Sequence, residues 1–253
     1  MQSSNSPNRN PLSVAEQSTG ARRAFYVLRE SPCPYLAGRR ERKLLTRIDG
    51  PDATAFYSLL SRGGFRRSHV FAYRPACSGC EACVPVRVVA EDFRPSRSHR
   101  RIAALNRDLV WTVRPAVATD EQYELFRDYI ATRHGEGEMS AMDFQDYRSM
   151  VQETHLDSSL HEARAADGRL VAACLADWLE DGPSAVYSFF DPDLGRRSLG
   201  TWMVLGLIEQ ARRKGLAHVY LGYWIADSPK MAYKARFRPL EGFGPEGWRV
   251  IAD

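Results

Sequence analysis

Apolar positions in the first half of the chain alternate between strand and helix spacing. Phe25-Tyr26-Val27-Leu28 and Lys43-Leu44-Leu45-Thr46-Arg47-Ile48 have strand character. A helix is expected from Pro51, with Asp49 as its cap and Ala55, Phe56, Leu59 and Leu60 as its apolar face. Gly63-Gly64 ends it. Residues 69–73 read as the next strand. Residues 84–89 alternate and put Val84, Val86 and Val88 on one face. Farther on, Tyr123, Phe126 and Ile130 fall at helical spacing within 120–133, with Thr119 as cap. His134-Gly135-Glu136-Gly137-Glu138 then interrupts the pattern as a polar turn.

The second half has a definite order. Strands at 160–165 and 170–179 are joined by Asp167-Gly168, a hairpin signal. A third strand covers 185–190. A helix over 200–214 turns Leu205 and Ile208 inward and is closed by Gly215. A strand at 218–221, a short helix at 228–236 and a strand at 248–251 follow. The fold class is α+β. The order of this half resembles the N-acetyltransferase superfamily, which implies an acyltransferase-like (GNAT-like) domain with a mixed sheet and a donor site where two central strands splay. Coenzyme A enzymes of that superfamily hold a pyrophosphate on a small-residue loop at a helix start. Here the matching stretch is Arg197-Ser198-Leu199-Gly200-Thr201-Trp202, and Trp202 would obstruct that approach. The expected organisation is a disordered tail at 1–20, a cysteine-bearing N-terminal α+β domain at 21–115, and the acyltransferase-like domain at 116–253.

Composition adds bounds. The tail is rich in Ser, Asn, Gln and Pro and lacks an apolar core, so it does not read as a signal peptide. No apolar stretch approaches the roughly 20 residues of a bilayer span, so no membrane partner is expected. Thiols without an export signal point to the cytoplasm. The net charge is only +4, but the basic residues cluster. Arg94, Arg97, Arg100 and Arg101 lie on or beside a predicted helix, and further groups stand at 39–43 and at Arg62, Arg66 and Arg67. Such clusters suit a phosphate backbone.

Cys77, Cys80 and Cys83 stand at two three-residue steps in a connection between strands, with Cys33 as a fourth candidate. Thiolates so spaced can converge on zinc or an iron–sulfur cluster. Cys174 lies in an apolar strand and reads as core.

The strings Cys33-Pro34-Tyr35-Leu36-Ala37-Gly38-Arg39-Arg40-Glu41-Arg42, Gly64-Phe65-Arg66-Arg67-Ser68 and Pro85-Val86-Arg87 extend this picture. So do Phe190-Asp191-Pro192, Ser198-Leu199-Gly200, Tyr220-Leu221-Gly222-Tyr223-Trp224-Ile225 and Lys230-Met231-Ala232-Tyr233-Lys234-Ala235-Arg236-Phe237. Together they resemble the bacterial branch of the arginyl-tRNA–protein transferase family, the aspartate/glutamate leucyltransferases. The resemblance spans about residues 25–245. It implies aminoacyl-tRNA as donor, specifically leucyl-tRNA, and acceptor proteins with N-terminal Asp or Glu, which the added leucine marks for N-degron degradation. Eukaryotic relatives have been associated with an iron–sulfur cluster on N-terminal cysteines. Here Cys33 stands alone where they have a closely spaced pair.

The implied transfer needs no cofactor for its chemistry, because the ester is already activated. An amine with a pKa of about 8 must lose a proton, an oxyanion must be stabilised, and the leaving ribose hydroxyl must be protonated. Tyr187, Tyr223, Asp227 and Tyr233 are the candidate catalytic groups. Lys230, Lys234 and Arg236 are candidates for the acceptor carboxylate or the terminal phosphate, and Arg94, Arg97, Arg100 and Arg101 for the tRNA backbone. The alternatives are arginyl-tRNA as donor, a coenzyme A-dependent N-acetyltransferase, and a non-catalytic RNA-binding metal protein.

Overall fold

The computed structural model describes residues 23–134 and 138–252. The tail at 1–20 and the polar loop at 135–137 lie outside the described residues. Strands β1 (Phe25–Val27), β2 (Ser31–Pro32), β3 (Arg40–Glu41) and β4 (Lys43–Arg47) lead into helix α1 (Ala53–Arg62). β5 (Arg66–Ser68) and β6 (Phe71–Pro75) complete a four-stranded antiparallel sheet of order β1-β4-β6-β5, while β2 and β3 pair separately. Two local expectations need correction. Asp49 does not cap α1, because Arg23 and Arg47 hold its carboxylate. The single strand expected at 69–73 is a hairpin, turned at His69 with φ +52°.

β7 (Val84–Val89), α2 (Arg97–Leu105), β8 (Val110–Pro115), α3 (Asp120–His134) and α4 (Phe144–Gln152) come next. β9 (Ser158–Arg164), β10 (Leu170–Leu179), β11 (Gly182–Phe190), α5 (Leu199–Arg213), β12 (His218–Trp224), β13 (Leu240–Gly244) and β14 (Gly247–Val250) follow. They build a mixed eight-stranded sheet of order β14-β13-β7-β12-β11-β10-β9-β8. The fold is α+β, and β7 inserts between β13 and β12. Residues 84–115 thus contribute two strands to the large sheet. Thr119 caps α3 by accepting from Gln122 N at 3.3 Å.

β10 explains why this sheet is central. Nine of its ten residues are buried, as in a strand covered on both faces. Ala172, Cys174 and Ala176 meet the core beneath α5, with Met203, Leu207 and Ile208. Ala173 and Leu175 face the other core, with Phe126 and Ile130 of α3 and Tyr147 and Val151 of α4. Tyr57 and Leu60 of α1 join Leu179 and Tyr220 in a third cluster on the flank. The helix expected at 228–236 is a 3-10 turn at Ala232–Arg236. Lys234 and Phe237, three apart, both point inward there, and that spacing shares a face in a 3-10 turn.

Candidate active site

β11 and β12 run parallel but pair at one register position, Ser184 with Tyr220. They meet at their starts because Gly182 has no side chain; a Cβ there would lie 1.8 Å from the His218 carbonyl oxygen. Beyond Ser184 they part, and the side chain of Arg66 fills the gap from β5. Arg66 Nη2 donates to the Val186 carbonyl at 2.5 Å. On the other bank, Gly222 has φ +72°, and a Cβ on it would sit 1.7 Å from Arg66 Nη1. A glycine inside a strand marks such a close approach. The phenols of Tyr73, Tyr35, Tyr57 and Tyr223 surround the guanidinium. Arg67, next in the strand, points the opposite way. It meets Asp177 at 2.7 Å, both side chains fully buried.

Tyr187, Tyr223, Tyr233 and Lys234 stand around this opening. Tyr223 is 3% exposed, and its hydroxyl donates to the Tyr73 carbonyl at 2.9 Å and the Gly64 carbonyl at 3.2 Å. It thereby clamps the N-terminal sheet to β12. Tyr187 and Tyr233 are half-buried, and among the described residues neither hydroxyl has a hydrogen-bond partner. Burial raises the pKa of both, Tyr233 to about 12, so both hydroxyls remain proton donors at neutral pH. Lys234 is 6% exposed, and its Nζ donates to the Tyr223 carbonyl at 2.5 Å. Burial, then the positive charge of Arg66, lower its pKa to about 7. Among the described residues, neither Arg66 nor Lys234 has a carboxylate within salt-bridge distance. Asp227, Lys230 and Arg236 are exposed on the chain leaving β12.

The basic residues of α2 lie beside this region. His99 is buried and stacks on Phe237 at 5.0 Å with ring planes 13° apart, which anchors α2 to the turn carrying Lys234 and Arg236. Burial, then Arg236, lower the pKa of His99. Arg94, Arg97, Arg100 and Arg101 are exposed. Arg94 and Arg100 donate only to backbone carbonyls, at 2.8 Å to Glu91 and 2.6 Å to Pro95. At the start of α5, Trp202 packs edge-on against Trp111 at 5.4 Å.

The cysteine loop adjoins the same site, since Cys83 is a charge neighbour of both Tyr35 and Tyr223. Burial, then the nearby thiols of Cys33, Cys77 and Cys80, push Cys83 up to about 11. Cys33, Cys77 and Cys80 are thus all charge neighbours of Cys83, and a set of four thiols suits zinc or an iron–sulfur cluster by donor chemistry. Among the described residues, no group of three or more is arranged to hold a metal ion. Cys174 is 1% exposed in the core.

Sequence reasoning grouped Arg66 with the surface arginines. The signal that could have separated it was Gly222 in a strand otherwise made of aromatic, histidine and aliphatic residues. A family described as Arginine-tRNA-protein transferase, N terminus, matches residues 31–101, and one described as Arginine-tRNA-protein transferase, C terminus, matches 121–244. The aspartate/glutamate leucyltransferase of Paramagnetospirillum magneticum is 55% identical over 228 residues, covering 90% of this chain and 93% of that protein. That of Parvibaculum lavamentivorans is 52% identical over 237 residues, covering 94% and 98%. Among solved structures, FemX aligns with 75% of this chain and 65% of that one at 10% identity, with a TM-score of 0.44. With both family segments matched and half of its residues shared with such relatives, the chain belongs to the arginine-tRNA–protein transferase family.

Proposed function

We propose that this chain transfers leucine from leucyl-tRNA to the α-amine of proteins that begin with Asp or Glu. The observation that carries the reading is the cleft between β11 and β12, with two cations and two free phenols and a basic helix anchored beside it. The donor's phosphates run along Arg97, Arg100 and Arg101, with Arg94 at their edge, and its terminal ester lies at the opening. The acceptor's amine attacks the ester carbonyl, the bond to the ribose oxygen breaks, and a peptide bond forms. The acceptor ammonium, with a pKa of about 8, gives its proton to Lys234, whose pKa of about 7 suits the exchange. The hydroxyls of Tyr187 and Tyr233 donate hydrogen bonds to the developing oxyanion and to the departing ribose oxygen, and the second proton shed by the amine nitrogen as the peptide bond forms passes to that ribose oxygen, which leaves as a hydroxyl. Arg236 and Lys230 supply exposed positive charge at the rim, and Asp227 stands beside them.

A donor made for translation places the reaction in the cytoplasm, and the new N-terminal leucine marks the acceptor for N-degron degradation. Cys33, Cys77, Cys80 and Cys83 would hold zinc or an iron–sulfur cluster by their donor chemistry, and such a group would brace the N-terminal sheet. No step of the transfer passes through it.

The test is incorporation of labelled leucine into an Asp-initiated peptide, in the presence of tRNA and leucyl-tRNA synthetase. Incorporation should vanish without tRNA. Transfer of arginine from arginyl-tRNA with none of leucine would overturn the donor assignment. Equal transfer to Lys-initiated peptides would overturn the acceptor assignment.

A further inference from the structure

Two other arginines drawn into this part of the protein carry their countercharges with them. Arg67 has Asp177, and Arg87 has Glu241 at 2.7 Å with Asp181 at 3.7 Å. Among the described residues Arg66 has no such partner, and of its five donors one is used, on the Val186 carbonyl. Its neighbour Lys234 donates to another carbonyl and likewise lacks a carboxylate. Desolvating a cation without a partner is costly, and here two are placed together. The cavity on the inner side of Arg66, toward Ser61 and Trp248, holds only about 10 Å³. That is room for at most a single water, so the inferred approach of an anion is past Tyr187, Tyr233 and Lys234, which neighbour Arg66 but do not line that cavity.

We infer that Arg66 is the receptor for the side-chain carboxylate of the acceptor's first residue, and so determines specificity for Asp and Glu. This rests on the proposed acceptor reading and names the residue that would enforce it. A guanidinium offers the paired N–H geometry that a carboxylate accepts. A carboxylate seated on it places the α-amine three bonds away in aspartate and four in glutamate. That span points the amine out along the cleft toward Lys234 and the free phenols. Asn and Gln match in shape but leave the cation without its countercharge, so they should be rejected.

The experiment measures binding of fluorescent peptides beginning with Asp, Glu, Asn or Gln to the full chain, and leucyl transfer to the same peptides. Wild-type protein should prefer Asp over Asn by roughly 100-fold, and Arg66→Gln should bring that ratio near one. Arg66→Lys keeps the charge without the fork and should retain about a tenth of the preference, which covers the case in which Arg66→Gln fails to fold. An undiminished preference after either substitution in folded protein overturns the inference. So does a wild type that binds Asp and Asn peptides alike. So does a rise only in KM for aminoacyl-tRNA, which would assign the cation to the donor. Arg66-dependent peptide preference without leucyl transfer would instead refute the donor reading and leave the inference standing.

Discussion

Replacement of Lys234 by Met should make the protein's stability less dependent on pH while destroying its activity. Lys234 is buried, and its pKa falls from 10.5 to about 7 through that burial and the neighbouring charge of Arg66. The sign follows from proton binding. Between those two values the unfolded chain holds a proton on Lys234 that the folded chain has lost, so stability rises with pH. Below about pH 7 both states are protonated and the folded state bears the whole cost of the buried charge. Above 10.5 both are neutral and the cost is gone. A fall of this size corresponds to roughly 5 kcal/mol at 1.36 kcal/mol per pH unit. Between pH 7.5 and 9.5 the wild type should gain roughly 2–3 kcal/mol from this group alone.

Urea denaturation at the two pH values, for wild type and Lys234→Met, isolates the effect, because all other titrating groups are common to both. The variant leaves the Tyr223 carbonyl without its donor, a cost of about 1 kcal/mol that does not vary with pH. The readout is therefore the difference in pH dependence between the two proteins. Transfer to an Asp-initiated peptide should fall by about 100-fold or more if Lys234 takes the amine's proton. Equal pH dependence in the two proteins would show that Lys234 titrates normally and would remove it as the proton acceptor.

Asp177→Asn should destabilise the protein by about 3 kcal/mol in denaturant melts, because Arg67 then keeps a fully buried charge without a counterion. Arg97→Glu combined with Arg101→Glu should raise KM for aminoacyl-tRNA and lower the slope of its logarithm against log salt by about two, one for each phosphate left unneutralised; an unchanged slope would return both to the solvent. Elemental analysis of anaerobically purified protein should find zinc or iron. Cys33→Ser and Cys80→Ser should each lose it, and Cys174→Ser should retain it.

What could be read from the sequence was what local pattern encodes. Val84–Val89 and Leu170–Leu179 occur where alternation and a continuous apolar run place them. The end of α1 at Gly63 and the cap at Thr119 follow from side-chain chemistry within a few residues. Other elements gave weak local signals. β13 contains two glycines within five residues. β8 is an edge strand whose Val110 and Val113 stay exposed, so its apolar pattern does not mark the face that Trp111 turns to the core. The site itself depends on distance in sequence. Arg66 reaches a carbonyl 120 positions away, and Lys234 reads as a solvated cation until its turn folds it inward. Family strings narrowed the residues to the right segments without saying which arginine enters the gap.

The parted strands could not be held by the C-terminal half alone. Arg66 supplies the link that strand pairing would otherwise make between Val186 and Gly222. Arg67 locks β5 to β10 from the opposite face of the same strand. The Tyr223 hydroxyl fixes β12 to the carbonyls of Gly64 and Tyr73, and β7 runs beside β12 within the sheet. Each of these links joins residues 64–89 to residues 177–224, so the cleft exists only where the two halves meet. That also explains how an uncompensated cation persists there. The ion pair, the clamp and the shared sheet bind the halves strongly enough to offset the desolvation of Arg66 and Lys234. The parted strands and the positive charge between them are thus set before any ligand arrives. Binding then need not supply the energy to separate the strands, and an acidic acceptor gains most where its carboxylate relieves the excess charge.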